Sequence, residues 1–180
     1  MSDDQSRAAK APILPVAVII FAAFVLSACV QSERPLLAGS KPLLGTQFRM
    51  NLYQGFAKGK ADSVKTAVFR WSGTRYALVS GDSSGVQSFV LQPFEGNLLI
   101  EANENNHVYL LGRRLAKGTY RILPIDQNDV DEVTRDRTCV TRNPVICTIN
   151  TRRQLDTFVR AAAAKKGGDI MVWEISVTAR

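Results

Sequence analysis

Hydrophobic and polar positions alternate with a period of two along residues 64–125. Phe89 and Leu91 fall on one face of such a run, and Val90 falls on the other. Turn residues interrupt the pattern about every ten positions, as expected for consecutive short strands. The pattern predicts six strands, over residues 66–71, 75–80, 86–92, 97–102, 107–115 and 119–123.

The short connections between these runs decide how the strands pair. Antiparallel strands can be joined by tight turns, whereas a parallel crossover needs about a dozen residues. The sequence therefore predicts an antiparallel β-meander, as a curved sheet, an open barrel or a sandwich. Several runs are apolar on both faces, as where Leu99 lies between Leu98 and Ile100. Part of the sheet should then be covered on both sides, and a helix is the expected cover.

Residues 151–166 have the spacing of an amphipathic helix. Thr151 and Gln154 fit a capping box, and Gly167 and Gly168 follow the last turn. The apolar positions recur at helical intervals: Leu155, Phe158, Val159, Ala162 and Ala163. Residues 169–177 read as a closing strand. The predicted fold class is α+β, an antiparallel meander with one C-terminal helix packed on it and a closing strand.

Two other segments are less regular. Residues 46–63 mix aromatic residues with Gly55 and Gly59, which predicts a short or irregular element at one end of the core. Residues 126–138 are highly charged, with a possible helical turn over 129–134. Their acidic residues lack the glycine of an EF-hand loop, which favours a solvated connection over a calcium site.

A continuous apolar run covers residues 13–26, before the meander begins. About 14 helical residues span roughly 21 Å, which is short against a bilayer core of about 30 Å. Arg7 and Lys10 precede the run. This arrangement is typical of a signal peptide.

The run ends in Leu26-Ser27-Ala28-Cys29. These residues resemble the lipobox of bacterial lipoproteins. The resemblance implies that Cys29 receives a diacylglycerol on its thiol and that the signal is cleaved between Ala28 and Cys29. It also implies that the new amino group is often acylated. The alternative is an ordinary signal peptide, or an uncleaved anchor, in which the cysteine is incidental.

Two or more acyl chains would anchor the protein stably without a membrane-spanning segment. In Gram-negative lipoproteins an Asp after the acylated cysteine often marks retention in the inner membrane. Val30 stands at that position, so the resemblance implies the outer membrane, with the protein facing the periplasm. Residues 1–28 are then the signal peptide. Residues 29–45, rich in proline and glycine, are predicted to form an extended tether with leucines that can dock on the domain, and residues 46–180 one globular domain.

Two cysteines remain when Cys29 carries lipid. Cys139 and Cys147 would meet an oxidising compartment after export, so they predict a disulfide that closes a short loop. The alternatives are two free thiols or a metal site. Zinc would need further ligands, and His107 is the chain's only histidine. We expect neither a metal nor a cofactor.

The formal net charge of +7 favours anionic partners. It is unchanged by removing residues 1–28, where two cations balance two carboxylates. Candidate anion-binding residues form two groups: Arg113, Arg114, Lys117 and Arg121, and then Arg152, Arg153, Arg160, Lys165 and Lys166. An envelope polymer, a lipid head group or an envelope protein would suit them, whereas nucleic acid is not expected outside the cytoplasm. Ordinary solvated surfaces are the alternative.

No catalytic motif is present. Residues 81–85 lack the spacing of a nucleophile elbow and predict a hairpin loop. His107 opens a strand and is expected to be structural. The carboxylates of Asp82, Glu95, Glu101 and Glu104 are scattered over strands and turns. The sequence thus favours a lipid-anchored binding or structural module, with a small cell-wall enzyme or enzyme inhibitor as the alternative.

Overall fold

The computed structural model describes residues 30–39, 41–55, 63–83, 86–103, 106–117, 119–141, 146–165 and 172–179; for 52–55, 63–64, 103 and 172–179 only the backbone is considered. The predicted signal peptide and Cys29 lie outside these ranges. The elements in chain order are β1 (Val30–Ser32), β2 (Gln47–Gly55), β3 (Ser63–Trp71), β4 (Tyr76–Gly81), β5 (Ser88–Phe94), β6 (Asn97–Asn103), β7 (His107–Ala116), β8 (Thr119–Pro124), a 3-10 turn (Gln127–Asp129), α1 (Glu132–Thr138), β9 (Cys147–Thr148), α2 (Arg152–Ala164) and β10 (Val172–Ala179).

Eight of these strands form a partly open antiparallel barrel. Strands β2 to β8 each pair with the next along the chain, and β10 lies between β8 and β2. The β4–β5 contact is short, since only Tyr76 and Ala77 pair with Phe89 and Ser88. The barrel therefore has a seam between β4 and β5. This architecture confirms the predicted antiparallel meander, its C-terminal helix and its closing strand.

The alternation of apolar residues places side chains on the two faces as expected. Leu99 is buried on the outer face of β6, and its neighbour Ile100 is buried inside the barrel. The interior cluster consists of Phe48, Met50, Ala67, Phe69, Tyr76, Phe89, Leu91, Ile100 and Ile122. Phe69 and Phe89 pack edge to face with ring centroids 4.8 Å apart, whereas Phe48 and Phe69 are stacked. Both faces of the sheet carry apolar residues, since one face lines the barrel interior and the outer cluster packs on the other.

Helix α2 covers the outer face. Leu155, Phe158 and Val159 are fully buried in an outer cluster with residues of β5, β6, β7 and the N-terminal segment. Burying a side chain of this size contributes about 1.5–3 kcal/mol. The helix begins with the predicted capping box: the Thr151 hydroxyl accepts the Gln154 N–H, and Gln154 Oε1 accepts the Thr151 N–H at 3.0 Å. The predicted position and face of this helix are confirmed.

The prediction for residues 46–63 was wrong over residues 47–55, while residues 56–62 lie outside the described ranges. Residues 47–55 form β2, a nine-residue strand that pairs with β3 and β10. Phe48 and Met50 face the interior, whereas Arg49 between them is exposed. The period-two spacing of Phe48, Met50 and Leu52 decides the structure, because two neighbouring strands supply backbone partners along the whole segment. The charged connection after β8 contains the 3-10 turn and the short helix α1.

The tether predicted for residues 29–45 also differs from the structure. Strand β1 pairs with β7 and β9, and its first residue, Val30, is completely buried. Leu37 lies in the outer cluster, while Leu43 and Leu44 pack against the interior cluster. The described residues 33–39 and 41–46 thus form a strap that packs on both apolar clusters of the barrel. Val30 already belongs to the folded structure, and the leucines pack on apolar surface of the barrel, as their expected docking implied.

Candidate functional site

An apolar pocket opens into the barrel beside the interior cluster. The empty space in and around it, about 670 Å³, includes open solvent and is not the volume of an enclosed cavity. Strands β2, β5, β6, β7 and β8, the strap and the β4–β5 loop contribute to its wall. The lining residues are Leu44, Phe48, Met50, Ser83, Val86, Phe89, Leu91, Leu98, Ile100, Ala102, Leu110, Tyr120 and Ile122.

The chemistry of this wall favours apolar contact. Ser83 and Tyr120 are its polar side chains, and no carboxylate, imidazole, ammonium or guanidinium belongs to the described lining. Such a pocket can exclude water from an apolar molecule. The described lining offers no convergent acid and base groups for proton transfer.

Tyr76 fixes the strap at one side of this pocket. Its ring is buried in the interior cluster, and its hydroxyl accepts the Leu44 N–H at 2.8 Å and donates to the Gly45 carbonyl at 3.0 Å. Burial raises the pKa of the Tyr76 hydroxyl. The two bonds hold Leu44 against the pocket, so the strap is part of the binding wall.

A cluster of hydrogen-bonded polar side chains lies on the outer face of the barrel, away from the pocket. Glu101 is 2 % exposed, and its Oε2 accepts the backbone N–H groups of Leu36 at 2.9 Å and Leu37 at 2.8 Å. The Tyr109 hydroxyl lies 3.2 Å from the same oxygen, and His107 Nδ1 lies 3.0 Å from Oε1. Both oxygens of Glu101 are therefore engaged by groups of this chain.

Ser32 extends the cluster to β1. Its hydroxyl donates to the Arg34 carbonyl at 2.6 Å and lies 2.7 Å from the Tyr109 hydroxyl. Burial raises the pKa of the Tyr109 hydroxyl, and the negative charge of Glu101 raises it further, while its hydrogen bond to Ser32 acts in the opposite direction. This arrangement satisfies buried polar groups and holds the strap on the barrel. We assign it a structural role, which is the role expected for His107.

The first basic group gathers near the β7–β8 hairpin. Arg113 pairs directly with Arg121, and Arg114 pairs with Tyr120, which lines the pocket. Arg114 and Lys117 are exposed, whereas Arg113 and Arg121 are half-buried. The structure therefore brings the four predicted residues of this group into one region of the barrel surface.

The second basic group is tied to local acceptors on α2. Arg152 Nε lies 2.7 Å from Asp156 Oδ1, and its guanidinium also bonds Gln92. Arg160 Nε lies 2.7 Å from Glu95 Oε1. Lys165 donates to the Asn128 carbonyl and Arg153 is exposed, while Lys166 lies outside the described residues. These contacts partly neutralise the helix group, so α2 is the weaker anion-binding candidate.

The remaining predicted residues have structural partners. Cys139 and Cys147 form the predicted disulfide, with an S–S distance of 1.97 Å and Cα atoms 5.1 Å apart. Asp82 pairs with Lys65 at 2.9 Å, and Glu104 lies outside the described residues. Over the described ranges, no group of three or more His, Cys, Asp and Glu residues is placed to hold a metal ion. None of the helices described there is long and apolar enough to cross a membrane.

Comparisons with protein-family models, with curated proteins and with solved structures find no match to this chain. Sequence reasoning missed the pocket and the Glu101 cluster. A signal for the cluster exists, since Glu101 follows Leu98, Leu99 and Ile100 and occupies an outward position of a strand covered on both faces. A carboxylate at such a position needs internal donors. The pocket has no comparable signal, because its wall comes from distant segments.

Proposed function

We propose that the chain is a lipid-anchored cell-envelope lipoprotein whose barrel serves as a binding module for a small apolar or amphiphilic envelope component. The apolar pocket inside the barrel is the observation that carries the binding function. Eight-stranded barrels have interiors of a size that side chains can fill or that can hold one small ligand. Here the wall is almost wholly apolar, and the pocket opens to solvent.

The lipid anchor is the second part of the proposal. It rests on the residues 26–29, which resemble a lipobox, and on the apolar run before them. Anchoring at Cys29 would keep the barrel beside a store of amphiphilic molecules, in the periplasm and at the outer membrane. The disulfide is consistent with an oxidising compartment of this kind.

The position of Arg114 favours an anionic head group on the ligand. Arg114 is exposed and pairs across β7–β8 with Tyr120 of the pocket wall. An apolar chain in the barrel would thus leave its polar end within reach of the β7–β8 cations. A ligand with an anionic head group and an apolar chain would satisfy both the preference for anions expected from the net charge and the apolar pocket. The enzyme or inhibitor alternative has no comparable support in the pocket.

The binding function is tested with N-phenyl-1-naphthylamine, a dye that fluoresces in apolar surroundings. The wild-type protein should enhance its emission, and a long-chain fatty acid should displace it. Ala102→Leu narrows the pocket and should weaken dye binding at least tenfold, whereas Val79→Leu on the exposed part of β4 should not. Unchanged dye binding by a folded Ala102→Leu protein would show that the pocket is not the site. Near-ultraviolet circular dichroism verifies the fold of both variants.

A further inference from the structure

Val30 places the folded domain immediately beside the proposed lipid attachment site. It directly follows Cys29, is fully buried and donates its N–H to the Ile125 carbonyl at 3.3 Å. Residues 30–32 are held by pairing with β7 and β9. One extended residue spans at most about 3.6 Å. An acylated Cys29 therefore leaves no spacer, and the neighbouring surface of the domain must meet the lipid head groups.

This neighbouring surface has exposed apolar side chains. Val140 is 55 % exposed, and its N–H donates to the Thr148 carbonyl of β9 at 2.8 Å. Strand β9 pairs with β1, so the backbone at Val140 lies two strand spacings from β1, about 10 Å. Val133, on α1, is 58 % exposed. Two of the four large exposed hydrophobic residues within the described ranges thus belong to α1 and the residues just after it.

Helix α1 carries charges of both signs. Arg135 and Arg137 lie in its last turn with Asp136 between them, and Glu132 lies in its first turn. The Cys139–Cys147 disulfide joins the basic end of the helix to β9. A cation held near an anionic membrane surface is attracted to it. The exposed Arg137 and Val140 therefore lie near the attachment point, and Val133 lies one helical turn before Arg137 on the same side of α1.

We propose that Val133, Arg137 and Val140 form a membrane-contact face through which the acylated protein lies on an anionic phospholipid bilayer in one orientation. This inference rests on the lipid anchoring proposed above. Strand β1 pairs with β7, and β5 and β6 separate β7 from β4 in the ring, so β4 does not border this face.

Single tryptophans test this orientation in the acylated full-length protein. Val133→Trp, Val140→Trp and the control Val79→Trp are reconstituted into vesicles of phosphatidylethanolamine and phosphatidylglycerol with brominated acyl chains. Val79 is a matched control because it is 49 % exposed and lies on β4. The native Trp71 and Trp173 give the same background in each variant. Bromine should quench the added emission at 133 and 140, and leave the emission at 79 unchanged.

Vesicle flotation separates this inference from the anchoring proposal. If the wild type floats with vesicles but the tryptophans at 133 and 140 are no more quenched than the one at 79, the contact face is wrong and anchoring stands. If the wild type floats no better than Cys29→Ser and carries no lipid, both proposals fail. If the quenching at 133 and 140 disappears in Arg137→Glu, the positive charge of Arg137 contributes to the membrane contact.

Discussion

The backbone N–H of Leu37 donates to Oε2 of Glu101 at 2.8 Å, across 64 residues of sequence. This bond lies under the strap, where Glu101 also accepts the N–H of Leu36. The strap continues to Leu44, which lines the pocket. The strap thus links the buried Glu101 carboxylate, on the outer face of β6, to the pocket wall inside the barrel.

Replacing Glu101 by alanine should lower the free energy of unfolding by about 3 kcal/mol, because buried donors lose their acceptor. Urea denaturation measures the change. Glu95→Ala is the control: Glu95 pairs with Arg160 on the exposed surface, and its loss should leave stability nearly unchanged. Equal effects of the two substitutions would contradict the structural role of the Glu101 cluster.

Tyr76 and Tyr109 should ionise at a higher pH than an ordinary tyrosine. The folded protein raises the pKa of Tyr76 and of Tyr109, whereas tyrosines of the unfolded chain titrate near pH 10. Above about pH 10 the unfolded chain releases protons that these two residues retain, so stability should fall as pH rises. Ultraviolet titration should find two tyrosine hydroxyls still protonated above about pH 10. Complete ionisation of Tyr76 and Tyr109 near pH 10 would contradict the burial of both hydroxyls.

The Cys139–Cys147 disulfide should contribute about 2–3 kcal/mol by restricting the unfolded chain. Replacing both cysteines by serine should lower the urea midpoint accordingly. Reduction of the wild type should reproduce the effect, while reducing agent should not change the double variant. A double variant as stable as the oxidised wild type would show that the crosslink adds nothing to the fold.

Phe158→Ala should cost about 3–5 kcal/mol, because the phenyl ring is fully buried between α2 and the barrel. Arg153→Ala on the exposed face of the same helix should change stability by less than about 0.5 kcal/mol. Thermal unfolding of the two variants gives the comparison. Similar midpoints for both would contradict the packing of α2 on the outer face.

Local patterns were sufficient for the hairpins and the helix. The inward and outward positions of Leu99 and Ile100 follow from strand periodicity, and the α2 capping box follows from Thr151 and Gln154. These features depend on neighbours in the chain, so the sequence displays them directly.

Long-range pairing was the part that local patterns could not supply. The closure of β2 on β10 joins residues near opposite ends of the domain, and Glu101 finds its donors in the strap 64 and 65 residues away. For the same reason residues 29–45 were predicted to be an extended tether with docking leucines, and the pairing of β1 with β7 and β9 was missed. Pro35 and Gly39 indicate an extended chain, but only the barrel surface shows that the chain is bound. The pocket depends on the same closure.

The central claim concerns the lipid on Cys29, and intact-protein mass spectrometry of the protein purified from membranes in detergent tests it most directly. The account predicts a chain that begins at Cys29 and carries the mass of two or three acyl chains, and a Cys29→Ser protein without that mass. A native protein that begins at Met1 and carries no lipid would contradict it.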